Sequence, residues 1–115
     1  MLDEYIASLK QLVQIMIETA DKIEDSNDYR EKLIGTVKEI EEGLNLLFQL
    51  FSDEEIAEAA AFDKIYILQI LQDLMNAMEN EDKVLLVDVL RFGLNIELQR
   101  TCMFLIEIND NLGEE

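Results

Sequence analysis

The side chains best equipped for chemistry in this chain are carboxylates. Aspartate and glutamate number 26 among 115 residues, against 9 lysines and arginines, for a formal charge of −17. Two acidic pairs stand out by spacing. Glu55 and Glu58 are three positions apart, which on a helix puts both on one face, and Glu79 and Asp82 repeat that interval later in the chain. Opposed pairs of this kind supply the oxygen ligands that a hard divalent cation takes. Histidine is absent, and Cys102 is the only cysteine. The chain therefore lacks the imidazole ligands of a Glu-x-x-His di-iron site and the usual base of nucleophilic catalysis. General acid–base work would fall to carboxylates or tyrosines.

The run Glu54-Glu55-Ile56-Ala57-Glu58, followed by Glu79-Asn80-Glu81-Asp82, resembles the metal-binding signature of all-helical nucleotide pyrophosphohydrolases. The resemblance implies a magnesium site of Glu55, Glu58, Glu79 and Asp82 facing a nucleoside triphosphate. The second pair falls on a predicted turn, however, and only Lys64 and Lys83 are near enough in sequence to neutralise phosphate. In so acidic a chain Glu-x-x-Glu also recurs from composition, as at Glu39 and Glu42. The first expectation is accordingly solvated helix ends with no catalytic residue, metal or cofactor, and the enzyme is the alternative. A histidine-based phosphotransfer bundle and a nuclease of the helical toxin type both lack their histidine here. Asp25 to Glu31 lacks the sixth-position glycine and twelfth-position acid of a calcium loop. Asp63, Asp73 and Asp88 are set within apolar stretches and are expected to be structurally paired, Asp88 with Arg91 and Asp63 with Lys64 or Tyr66.

The charge bounds the partners. Nucleic acids are bound through clusters of lysine and arginine, which are missing, and an anionic membrane surface would repel this chain. A protein partner or a second copy remains. Met1-Leu2-Asp3-Glu4 lacks the basic start and apolar block of a signal peptide. No apolar run approaches the ~18 residues of a membrane span, and a lone cysteine permits no intrachain disulfide. The expected compartment is the cytoplasm. Cys102 lies in Thr101-Cys102-Met103-Phe104-Leu105, a setting for a buried, inert thiol.

The elements that must position these groups are helices. Proline is absent and glycine occurs only at 35, 43, 93 and 113, so the chain has few stops for helices and few turn residues for a sheet. Apolar residues at steps of three and four predict helices over 2–24, 28–51, 53–78 and 82–111. Asp25-Ser26-Asn27-Asp28 is the clearest break, with Ser26, Asn27 and Asp28 all credible N-caps. Ser52-Asp53-Glu54-Glu55 reads as a capping box opening the third helix. Gly35 and Gly43 either permit close approach of another helix or, at Gly43, mark a local break. Short turns favour antiparallel neighbours, so residues 1–115 are expected to form one domain, an up-down-up-down four-helix bundle.

The last predicted helix carries two apolar stripes. One reads Leu85, Val89, Phe92, Ile96, Met103 and Ile106; the other reads Val87, Leu90, Leu94, Leu98, Leu105, Ile108 and Leu112. Thirty residues span about 45 Å, so this helix either protrudes or bends near Gly93. One stripe per helix suffices for a bundle. The second, with Leu94, Leu98, Leu105 and Ile108, is therefore the expected protein interface.

Asp82-Lys83-Val84-Leu85-Leu86-Val87-Asp88-Val89-Leu90 resembles a segment of small, uncharacterised helical proteins of Gram-positive bacteria, over residues 79–98. The resemblance implies a bacterial protein with helical packing and carries no activity. The functional expectation is a non-enzymatic, acidic protein-interaction module. Flagellar and type III export chaperones are analogous in size, charge and fold class, and self-association is an equally simple use of the same surface.

Overall fold

The computed structural model describes residues 2–113, with side chains described through Asn111. Met1, Glu114, Glu115 and the side chain of Leu112 lie outside the described residues. The chain is all-helical, with no strand among the described residues. The order is α1 (Asp3–Asp25), α2 (Arg30–Leu50), α3 (Glu54–Ala60), α4 (Lys64–Glu79), α5 (Lys83–Asp88), a π-helical stretch (Val89–Leu94) and α6 (Asn95–Gly113). The last three run end to end as one rod, because Val89 and Asn95 at the two joints keep right-handed helical dihedrals.

Among the described residues the helices therefore number five, where the sequence predicts four. The predicted helix 53–78 is divided at Ala61, which takes a left-handed conformation (φ 51°) and closes α3. That conformation costs roughly 1–2 kcal/mol for a residue with a Cβ. What offsets it is Phe62, whose ring stacks on Phe51 with centroids 4.3 Å apart and meets Phe48 edge-on at 6.0 Å. Asp63 then opens α4, its carboxylate accepting from the Tyr66 N–H at 3.0 Å.

The start of α3 also differs by one residue from the predicted capping box. Asp53 is the N-cap, accepting from the Glu55 and Ile56 N–H groups at 3.0 and 3.4 Å. Ser52 instead donates its hydroxyl to the Gln49 carbonyl. A carboxylate at this position also meets the positive end of the helix. The 25–28 break is present, but Ser26 accepts from the Asp28 N–H within the turn, and α2 starts at Arg30 without a side-chain cap.

The core is built on α1, which packs against α2, α5, the π stretch and α6; α4 packs on α5 and the π stretch. Leu9, Leu12, Met16, Ala20 and Ile23 are the buried stripe of α1, and Leu33, Ile40, Leu44 and Leu47 answer from α2. Gly43 sits against the Leu12 side chain of α1: a Cβ there would lie 2.7 Å from Leu12 Cδ2. It breaks nothing, since α2 runs through it. Gly35 faces open space.

Between the same two helices lie two buried hydroxyls, Thr19 and Thr36, in contact with each other. Each also reaches the carbonyl one turn back, Ile15 at 2.8 Å and Lys32 at 2.9 Å. Two hydroxyl protons thus serve three contacts, so one of the three is without a proton at any moment.

The α1–α2 turn and the α4–α5 turn are clasped at one end of the molecule. Arg30 pairs with Glu81, and Lys83 donates to Asn27 Oδ1 at 3.0 Å while its ammonium lies over the Tyr29 ring. The three acids set within apolar stretches are not buried, and of their expected partners Asp63 meets Tyr66, through its backbone N–H. Asp63, Asp73 and Asp88 are all exposed, and Arg91 pairs with Asp21 and Glu24 of α1 rather than with Asp88.

Candidate functional site

Leu86, Leu90, Leu94 and Leu98 follow one another at steps of four, and all are fully buried. On a regular helix each such step drifts by about 40° round the axis. The π stretch at Val89–Leu94 takes up that drift, because its wider turn accommodates one more residue than an α-helical turn. Gly93 lies inside it and packs against α4, where a Cβ would come 3.2 Å from Ile70 Cγ2. The expected irregularity near Gly93 is thus a widened turn.

This register decides which stripe of the last helix meets solvent. Leu94, Leu98 and Leu105 are all 0% exposed and belong to the chain's own core, and Ile108 is half-buried. The interface expected on that stripe is therefore filled from within, by packing against α1. Of the other stripe, Val89 is buried and Leu85 and Ile106 are half-buried, while Phe92 (63% exposed), Ile96 (53%) and Met103 (69%) are bare. Both stripes are legible in the sequence as apolar, and packing against α1 decides between them.

Phe92, Ile96 and Met103 form a ridge along the solvent side of the π stretch and α6. Met103 stands between two shallow grooves. One, of about 610 Å³, runs between α3 and α6, with Ala59, Ala60, Phe104 and Ile106 in its walls. The other, of about 270 Å³, lies towards α1, with Lys10 and Val13 opposite Gln99 and Ile106. Arg100 borders the first groove and fixes its geometry, donating to the carbonyls of Ala60 and Ala61 at 2.9 and 3.3 Å and to Glu97 Oε2 at 3.1 Å. Its charge is thereby engaged within the chain.

Cys102 borders the second groove but is itself buried, with its sulfur towards the Ile6 carbonyl. Burial pushes its thiol pKa up, against a weaker downward pull from the Lys10 ammonium. A thiol in that state is a poor nucleophile.

The four carboxylates considered for magnesium do not form a site. Among the described residues no three acids or cysteines come together in a way that could hold a metal ion. Glu55 and Glu58 lie on α3, ahead of α4, and Glu79 ends α4. The sixteen residues of α4 put about 24 Å of helix between those ends. Asp82 is occupied as the N-cap of α5, accepting from the Leu85 N–H at 3.1 Å.

Charge and apolar exposure are divided along the chain. Up to Asp63 there are 16 acidic and 5 basic side chains; from Lys64 to Asn111 there are 8 and 4. Of the ten large apolar side chains found exposed among the described residues, eight lie between Ile65 and Met103. The helices that carry them, α4 and the α5–α6 rod, pack on each other. No helix among the described residues is long and apolar enough to cross a membrane. Comparison with protein-family models, with curated proteins and with solved structures finds no match to this chain.

Proposed function

We propose that the chain is a non-enzymatic protein-binding module, with the outer face of its last helix as the docking surface. The observation that carries this reading is the ridge of Phe92, Ile96 and Met103, each more than half exposed on a helix whose core face is already filled. Burying the exposed part of each is worth roughly 1–2 kcal/mol, enough together to favour association once its entropic cost is met. In this reading α1, α2, α4 and the α5–α6 rod are the four members of an up-down-up-down frame. The short α3 is an addition that walls one groove beside the ridge. The acidic surface keeps the chain dispersed in the cytoplasm while the ridge is unoccupied.

The test is titration of a labelled helical peptide of leucine and lysine, followed by fluorescence anisotropy. A Phe92→Ser, Met103→Ser double variant keeps the net charge, so any purely electrostatic binding survives it. The expected result is at least about tenfold weaker binding by the variant, or about 1.4 kcal/mol, with unchanged helicity. Equal binding by the two proteins would rule the ridge out.

A further inference from the structure

We infer that α3 is a detachable cover of the last helix: residues 52–61 leave α6 as one unit while α2 and α4 stay in place. The base of this excursion is fastened. Phe51, which closes α2, and Phe62, just ahead of α4, stack with ring centroids 4.3 Å apart, so the chain departs and returns at one point. An excursion whose ends are pinned together is a loop of Ω type, and it can change conformation without moving the elements it joins.

The excursion itself is held lightly. Among the described residues α3 is the one element without extended packing against another. It has seven residues, and isolated helices shorter than about 12–15 residues are marginal in water. Its attachments therefore order it, and they are few. Ala60 is buried, Ile56 and Ala57 are half-buried, and Arg100 reaches from α6 to the carbonyls of Ala60 and Ala61. Ala61 works against them, because its left-handed backbone (φ 51°) is unfavourable for a residue with a Cβ and relaxes once the loop opens. The last turn is cross-tied: the Phe62 N–H donates to the Ala57 carbonyl at 3.0 Å and the Ala61 N–H to that of Glu58 at 3.1 Å. Helix and turn consequently break together.

The cover faces the wall of the groove of about 610 Å³, to which Met103, Phe104 and Ile106 contribute. Phe104 and Ile106 are half-buried with α3 in place. Its departure joins them to the bare Met103 as one broad apolar strip along α6. Two states of this surface are thus built into the fold, a narrow ridge and a wide strip, whatever docks on either.

Thiol labelling of the native chain by an aromatic disulfide reads the opening. Ala60 and Cys102 are almost equally buried, at 5% and 6% exposed. In an Ala60→Cys variant, the thiol at 60 therefore reports on α3 and the natural one on the core. The expected result is two phases, with position 60, identified by mass, reacting at least about tenfold faster than Cys102. In that background Ala61→Gly, which removes the left-handed penalty, should slow the fast phase several-fold, and Arg100→Ala should speed it. Neither should move the slow phase by more than about twofold. Hydrogen exchange of the unsubstituted chain shows whether the opening is native to it. Amides of residues 57–62 should share one protection factor, at least about tenfold below those of residues 40–47 and 67–77. A single rate for both thiols overturns the inference. So do amides of 57–62 that are protected as well as those of 40–47, or that fray independently of one another.

Discussion

Arg100 donates from α6 to the carbonyl oxygen of Ala60 at 2.9 Å, and Ala60 is the last residue of α3. The final carbonyls of a helix carry its negative partial charge and lack intrahelical partners. A guanidinium there both satisfies them and holds α3 to the last helix. Ala60 is the buried residue of α3, and Ile56 and Ala57 pack half-buried against the core beside it. Arg100→Ala is expected to cost about 1 kcal/mol, the lower range for a hydrogen bond to a charged group, because the side chain is partly exposed. The loss should be local. Amides of residues 54–62 should exchange with deuterium several-fold faster while those of α1 keep their rates, and unchanged exchange in α3 would show that Arg100 does not hold it.

The glycines of α2 should respond in opposite directions. At Gly35 a Cβ meets nothing within 4 Å, so Gly35→Ala should stabilise by about 0.5–1 kcal/mol through helix propensity. At Gly43 the same change drives a methyl to 2.7 Å from the buried Leu12 side chain. Overpacking then exceeds the propensity gain, for a net loss of about 1 kcal/mol. Urea melts of the two variants check this; equal stabilisation would mean that Leu12 has room to move aside.

Charge placed two residues apart on the last helix should give contrasting results. Leu98→Glu forces a carboxylate into the core, where Leu98 is 0% exposed, and should cost about 4 kcal/mol or more. Ile96→Glu lies on the ridge and should change stability by no more than about 0.5 kcal/mol in the monomer. Thermal melts at low protein concentration distinguish the two. Similar melting temperatures would contradict the register of the π stretch.

What the sequence made legible was the part governed by local chemistry. The spacing of Leu9, Leu12, Met16 and Ile23 predicts α1, and Leu33, Ile40, Leu44 and Leu47 predict α2, each to within about two residues at its ends. The polar runs at 25–28 and 79–82 mark turns, where the Ser26 hydroxyl accepts from the Asp28 N–H and the Asp82 carboxylate caps α5 as its type predicts. The division at Ala61 was hidden, because nothing about alanine announces a left-handed turn. Its cause is the stacking of Phe62 on Phe51, a tertiary event. The site was hidden for a related reason. Two stripes of equal apolarity lie on the last helix, and packing against α1 decides between them by taking the side of Leu94, Leu98 and Leu105. The same solvation of helix ends that makes acids abundant also made Glu55, Glu58, Glu79 and Asp82 look like a constellation, although α4 separates the two pairs.

The widened turn at Val89–Leu94 has a consequence for how this chain can change length. Measured by where its buried side chains point, the rod is an ordinary helix that has absorbed one insertion. Leu86 before the turn, Leu90 and Leu94 within it, and Leu98, Cys102 and Leu105 after it, face the same core although the α-helical count from Leu86 to Leu98 is off by one. Deleting Gly93 would return the whole rod to α-helical phase, about 100° per residue, with both sets still directed inward. Substitution there meets Ile70, whereas removal takes out the mismatch itself. A sequence one residue shorter between 89 and 94, with the leucines on either side unchanged, would therefore describe the same protein without its π turn.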